Sequence, residues 1–293
     1  MTILETIAAQ KRLDVAARRE LVPLKMLEAS LYFDTPVLSL RHYLTRPGSS
    51  GLIAEFKRRS PSQGWLNRYA PVERTTLGYM QAGAAALSIL TDEPFFGGKA
   101  ADLTLARRYN YCPVLRKDFV IDEYQIVEAK SLGADAVLLI AALLTPAEIA
   151  QFGRLAHGLG LEVLLEVHSA AELHQAAPTP EAVDLIGVNN RNLHDFSVSL
   201  DTSLALAAEI PAGFGRVTES GIGSAAALAT LRAAGYQGFL LGEAFMRHAR
   251  PERACAALLQ ALAAAAPAAA ATPAATAILP AAPLYAAIPA HAA

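Results

Sequence analysis

Eight short apolar runs punctuate the middle of the chain: residues 52–56, 85–90, 113–115, 136–140, 163–165, 185–188, 215–217 and 239–241. Each has the length of a strand rather than a helix, and the segments between them mostly read as helices. The transitions are marked. A helix-like segment ends, Gly or Gly-Ala follows, and the next apolar run begins, as in AGAAALSIL, LGADAVLLI and AAGYQGFLLG. Glycine just past a helix end can take the left-handed conformation that stops it. Helix starts are signalled too. Thr145-Pro146-Ala147-Glu148 supplies a cap, a proline at the first helical position and a glutamate at the third. Ser169-Ala170-Ala171-Glu172 reads as a second capping box.

Strands alternating with helices predict an α/β fold with a parallel sheet. Eight βα units within about 210 residues fit a closed (β/α)8 barrel. The alternative is an open, doubly wound sheet, which normally brings a Gly-rich first turn. The turn after the first run is KRRSPSQGW, which lacks that pattern. Residues 1–45 form an N-terminal helical extension: 2–20 reads as a helix, Pro23 breaks it, and 39–45 reads as a short helix. This extension either lids the bottom of the barrel or covers the top and helps enclose a ligand. The catalytic barrel is expected over 46–262. Residues 263–293 differ in kind, with 18 Ala, 5 Pro and no Asp, Glu, Lys or Arg. Such a low-complexity tail is expected to be disordered or transiently helical and to lie outside the catalytic domain. Its prolines argue against a membrane span.

The 293 residues are 53% hydrophobic and 18% charged, which allows a sizeable core. A net charge of −2 gives no reason to expect a nucleic acid or an anionic membrane as partner. Cys112 and Cys255 follow no disulfide or metal-ligand spacing. MTILETIAAQKR lacks the basic-then-apolar order of a signal peptide. A cytoplasmic location is expected.

In a barrel of this kind, catalytic groups lie where strands end. The first run closes on Glu55-Phe56-Lys57. Residues two apart share a strand face, so Glu55 and Lys57 point one way and Phe56 the other. Later runs end in Thr91-Asp92, Arg116-Lys117-Asp118-Phe119, Glu166-Val167-His168, Asn189-Asn190-Arg191, Glu219-Ser220-Gly221 and Leu241-Gly242-Glu243. The run starts are instead Gly, Ala and apolar residues. Three carboxylates (Glu55, Glu166, Glu219) and two lysines (Lys57, Lys117) are therefore candidates for one pocket. There an ammonium can donate a proton and a glutamate can take one. No Asp/His metal cluster is apparent, so the acid–base work is expected to be metal-free. Glycines in the last two loops, SGIG and LGEA, can offer backbone N–H groups to a phosphate. Each feature also has a plainer reading. Glu55–Lys57 could be a rim salt bridge, Lys117 could pair with Asp118, Glu166 could cap the next helix, and Arg191 could lie on the surface. Phe95-Phe96 and Trp65 could pack in the core or wall a ring-bearing substrate. His157, His168 and His174 read as surface or structural.

The stretches IAEFKRRSPSQG, LSILTDEPFFGG, PVLRKDF, GADAVLLIAALL, LLEVH, IGVNNRNL, TESGI and GFLLGEAFM occur in order. On these the chain resembles the indole-3-glycerol phosphate synthase family of tryptophan biosynthesis, over roughly residues 1–257. The resemblance implies a cofactor-free carboxy-lyase. Its substrate is the phosphosugar-anthranilate 1-(2-carboxyphenylamino)-1-deoxyribulose 5-phosphate, and its products are indole-3-glycerol phosphate, CO2 and water. It implies Lys117 as general acid and Glu166 as the group assisting dehydration and rearomatisation. Lys57, paired with Glu55, falls near the substrate carboxylate and the leaving hydroxyl. Asn189, Glu219 and Ser220 match groups that position the substrate. Gly221 and Gly242, with Leu241 beside them, match phosphate contacts. Ser60 and Arg191 match substrate-anion contacts, and Phe96 and Phe119 match rings around the anthranilate. The resemblance leaves the division of acid and base work between the two lysines open. Contact with other tryptophan-pathway enzymes, if made, is expected to be transient.

Three rivals differ in kind. Phosphosugar isomerase barrels rely on an Asp base or an Asp/Cys pair, against the Glu-Phe-Lys ending found here. A Schiff-base aldolase would form a covalent adduct trapped by borohydride. A non-catalytic barrel would be expected to lack a key side chain, and none is missing.

Overall fold

The computed structural model describes residues 2–193 and 195–265. Helix α1 (Ile3–Leu21) opens the chain, capped by Thr2, which exchanges hydrogen bonds with Glu5. Short helices α2 (Leu24–Glu28) and α3 (Leu40–Thr45) follow. Strand β1 (Leu52–Phe56) then leads into a small antiparallel hairpin of β2 (Arg59–Ser60) and β3 (Gly64–Trp65). The remaining units alternate: α4 (Val72–Ala82), β4 (Ala86–Leu90), α5 (Ala100–Tyr109), β5 (Val114–Lys117), α6 (Glu123–Leu132), β6 (Ala136–Ile140), α7 (Pro146–Gly158) and β7 (Glu162–Val167). They continue with α8 (Ala170–Ala176), β8 (Leu185–Asn189), α9 (Asp201–Leu206), β9 (Gly215–Glu219), α10 (Ala225–Ala233), β10 (Gly238–Leu241), α11 (Glu243–Met246) and α12 (Pro251–Ala265).

Eight parallel strands close in the order β1-β10-β9-β8-β7-β6-β5-β4, the expected barrel. The strand period of two sorts each run into two layers. Inward residues such as Ile53, Leu115, Leu138, Leu164, Val217 and Leu240 fill the barrel. Outward residues such as Phe56, Ile89, Val137, Val163, Val188 and Phe239 pack beneath the helices. Burying one such side chain stabilises by about 1.5–3 kcal/mol. Gly83 and Gly133, with φ of 103° and 92°, end α4 and α6 in the left-handed conformation. The Thr145–Glu148 capping box forms as read. The second box forms only half. Ser169 accepts from the Glu172 N–H, but the Glu172 carboxylate turns to His168, accepting from its backbone N–H at 2.8 Å and facing its Nδ1 at 3.1 Å.

The extension does both things the sequence left open. Ile7, Ala8, Lys11 and Val15 form the buried stripe of α1, and Ile3, Leu4 and Ile7 line a cavity at the C-terminal ends of the strands. Lys11 reaches Asp92 at 2.8 Å and Asp118 at 2.9 Å, tying α1 to the loops after β4 and β5. At the opposite end, Leu40 and Leu44 of α3 join the barrel interior with Ile53, Ala85 and Leu185. Of the segment 263–293, residues 263–265 belong to the last turn of α12; 266–293, and with them the expectation of disorder there, lie outside the described residues.

Candidate active site

The barrel places Glu55, Lys117, Glu166, Asn189 and Glu219 on its inner face because each is the last or next-to-last residue of a strand, two or four residues beyond an inward apolar position. They line one cavity of about 420 Å³ together with Lys57, Ser60, Phe96, Phe119, Arg191, Ser220, Gly221, Leu241 and Gly242. All fourteen residues matched to the family's site therefore line one cavity, whereas Phe95 and Trp65 do not. Leu241 does so with its side chain packed in the outer layer.

Lys117 is the hub. Its ammonium lies 2.8 Å from Glu166 and 3.1 Å from Glu219. It does not pair with Asp118, which turns outward to Lys11 and Arg116. Burial works against the Lys117 charge, but Glu166, Glu219 and Glu55 outweigh it and raise its pKa, so it stays protonated. The two glutamates divide. Burial and the neighbouring Glu166 charge push Glu219 up to about 8. Glu166 is buried as well, but Lys117 and His168 outweigh that and hold it well below the usual carboxylate range. One proton is thus shared by a coupled pair, with Glu166 ionised and Glu219 protonated near neutrality. Among the described residues, Oε1 of Glu219 has no hydrogen-bond partner. Asn189 donates to Glu166 at 3.0 Å, and its own carbonyl accepts from the Arg191 N–H.

Glu55 and Lys57 form their pair at 2.6 Å, with Phe56 buried on the other face. Gly242 lies against Glu55: a Cβ there would sit 2.3 Å from Oε1. Ser220 and Gly221 take positive φ of 69° and 77°, turning the loop after β9 sharply at the rim. The Ser60 hydroxyl accepts from the Gln63 N–H. Arg191 is not a free surface residue; it lies 3.2 Å from Glu243. Phe96 and Phe119 stand 5.6 Å apart as one aromatic wall. Trp65 is outside it, half exposed beside Arg59 and Arg68. Among the described residues, no group of three or more His, Cys, Asp or Glu side chains is placed to hold a metal.

Two side chains of this region, Lys11 and His168, are not read from the sequence as part of it. Lys11 lies in a helical stripe, where a lysine reads as solvent-facing. It is 6% exposed, and its partner Asp92 accepts from the Phe95 and Phe96 N–H groups. His168 is not a surface histidine, since its Nε2 lies 3.3 Å from Glu166. His157 and His174 do fit the plainer reading, paired with Asp184 and Glu209 away from the cavity.

Comparison with known proteins agrees with the geometry. The profile of the indole-3-glycerol phosphate synthase family matches residues 4–258. An indole-3-glycerol phosphate synthase of Bacteroides thetaiotaomicron is 44% identical over 260 residues, covering 89% of this chain and 98% of that protein. One from Laribacter hongkongensis is 46% identical, covering 87% and 98%. Among solved structures, 3-hexulose-6-phosphate synthase of Salmonella typhimurium superposes with a TM-score of 0.57 at 14% identity, over 73% of this chain and 98% of that one, a likeness of fold. With a family profile over nearly the whole barrel and the acid–base cluster assembled at its rim, the chain belongs to the indole-3-glycerol phosphate synthase family.

Proposed function

We propose that Lys117, Glu166, Glu219, Lys57 and Glu55 divide the acid–base work of the family reaction in this barrel. That reaction is a carboxy-lyase step of tryptophan biosynthesis, forming indole-3-glycerol phosphate from 1-(2-carboxyphenylamino)-1-deoxyribulose 5-phosphate. The observation that carries the assignment is the Lys117 ammonium held between two buried carboxylates in the cavity.

In the first step the ring carbon bearing the carboxylate attacks the ribulose carbonyl. A carbon–carbon bond forms, and the carbonyl oxygen takes a proton from Lys117. CO2 then leaves that ring carbon, and the electrons of the broken bond restore the aromatic ring. The new hydroxyl leaves as water on receiving a second proton. The neighbouring methylene carbon gives a proton to Glu166, completing the indole. Lys57, oriented by its ion pair with Glu55, serves the substrate carboxylate and the departing hydroxyl. Asn189, Glu219 and Ser220 position the substrate. Backbone groups at Gly221, Leu241 and Gly242 take the phosphate, Ser60 and Arg191 add anion contacts, and Phe96 and Phe119 flank the anthranilate. The catalytic unit is the barrel of residues 46–262, with α1 closing its mouth. No helix among the described residues is long and apolar enough to cross a membrane, and we place the enzyme in the cytoplasm.

The test is indole fluorescence from the anthranilate-linked ribulose phosphate with EDTA present. Absence of turnover by the purified chain overturns the assignment. Lys117→Ala is expected to lower kcat by about 10²–10⁴-fold while changing KM far less. An unchanged kcat would remove Lys117 as the general acid.

A further inference from the structure

Lys117 by itself does not decide which of its two carboxylates carries the shared proton, because it contacts both at similar range. The asymmetry lies behind Glu166. Its Oε1 accepts from Asn189 at 3.0 Å and faces Nε2 of His168 at 3.3 Å. Glu219 has no counterpart: beyond Lys117, its Oε1 is without a hydrogen-bond partner among the described residues. Among the described residues only His168 brings Glu166 a further positive charge, and a second carboxylate holds it in place. Glu172, in the first turn of α8, spends on His168 the oxygen that a complete capping box would direct to the Ser169 N–H. His168 is nearly buried, whereas Glu172 is partly open to solvent.

We propose that the His168–Glu172 pair assigns the roles of the two active-site glutamates, fixing Glu166 as the ionised base and leaving the proton on Glu219. His168 is a positioning residue here, since it works through Glu166. The charged groups around it are Glu166 on β7 and Glu172 on α8. Glu5 and Arg12 of α1 and Arg191 beyond β8 line the cavity on its outer side. Burial disfavours the imidazolium, but Glu166 and Glu172 outweigh burial and raise it to about 10, so the ring stays charged across the working range. The proposal rests on the reading of Glu166 as an acid–base group.

The experiment compares kcat–pH profiles of the full chain, His168→Gln, Glu172→Gln and Glu166→Gln. Loss of the imidazolium makes Glu166 harder to ionise, so the acidic limb moves up by about one pH unit. Glu166 is ionised in both enzymes where Glu219 titrates, and Glu219 gains nothing from losing a nearby positive charge, so the basic limb does not move down. The bell narrows from its acidic side, with KM nearly unchanged. Glu172→Gln is a near-isosteric change at a partly exposed position that keeps the fold, and it shifts the acidic limb in the same sense by less. A structural role for His168 would lower Tm without moving the limbs. An unmoved acidic limb in both variants, alongside a collapsed Glu166→Gln, overturns the role of the pair. A Glu166→Gln enzyme with unchanged kcat instead overturns the reading of Glu166 itself.

Discussion

Lys117 faces Glu166 and Glu219 from the middle of an inward face, and a third carboxylate, Glu55, adds to its field. Three negative groups near one ammonium would be unstable if all were ionised, so one must hold a proton. Glu219, at about 8, is that group. Below about pH 8 it is neutral, and above it a further negative charge appears beside Lys117. The wild-type kcat is therefore expected to fall on a basic limb near pH 8. Glu219→Gln mimics the neutral form and is expected to lose that limb. A basic limb that persists in this variant assigns it to another group. The residues that do this work were legible as letters, because charges at the ends of apolar runs have few structural uses. Their pairing was not legible. Lys117 lies beside Asp118 in the sequence, but neighbours on a strand point to opposite faces. The barrel instead brings Glu166 and Glu219 to Lys117 from strands 49 and 102 residues away.

Helix α1 shows the same limit at the scale of an element. Its span could be read directly, since the pattern is local; the Thr2–Glu5 box that caps it came only from the structure. Its destination could not be read. Lys11 becomes a buried cation because Asp92 and Asp118 wait at the rim, and both carboxylates accept backbone N–H groups of the loops bearing Phe95, Phe96 and Phe119. The helix thus anchors the aromatic wall of the cavity as well as roofing it. Removing the cation leaves two buried carboxylates partly uncompensated, a loss of about 3–5 kcal/mol for a broken buried pair. Lys11→Met is therefore expected to unfold at lower urea concentration and to raise KM more than it lowers kcat. Unchanged stability and KM would mean that α1 is held by its apolar stripe alone. The half-formed box at α8 is a smaller case: the sequence supplies a glutamate at the third position, and a histidine held at the end of β7 redirects it.

Across the whole molecule, the outer ion network runs from Lys11 through Asp118 and Arg116 to Glu128 and Arg18, joining α1, β5 and α6. Burial opposes the Asp118 charge, but Lys11 and Arg116 outweigh it and bring its pKa from 3.8 down to about 2. A carboxylate whose folded pKa is depressed stabilises the fold fully above its unfolded value, and that stabilisation fades as pH falls through the folded one. The window here is about pH 4 to 2, and the contribution is about 2 kcal/mol. Asp135 and Glu162, which burial pushes up, act in the opposite sense. The Asp118 share is therefore read by difference: urea unfolding of wild type and Asp118→Asn should differ most above pH 4 and converge toward pH 2. A gap independent of pH would show that packing, not charge, sets the cost. The sequence by itself determined the alternation of strands and helices, the eight-strand count and the rim carrying the chemistry. Those depend on local periodicity and on turn and cap residues, which act within a few positions of one another. Only the tertiary structure decided that α1 roofs the site while α3 plugs the base, that Lys117 joins two glutamates rather than its neighbour, and that His168 stands behind Glu166. Each of these is a contact between groups far apart in the chain, and its energy exists only once the closed barrel has brought the partners together and excluded water.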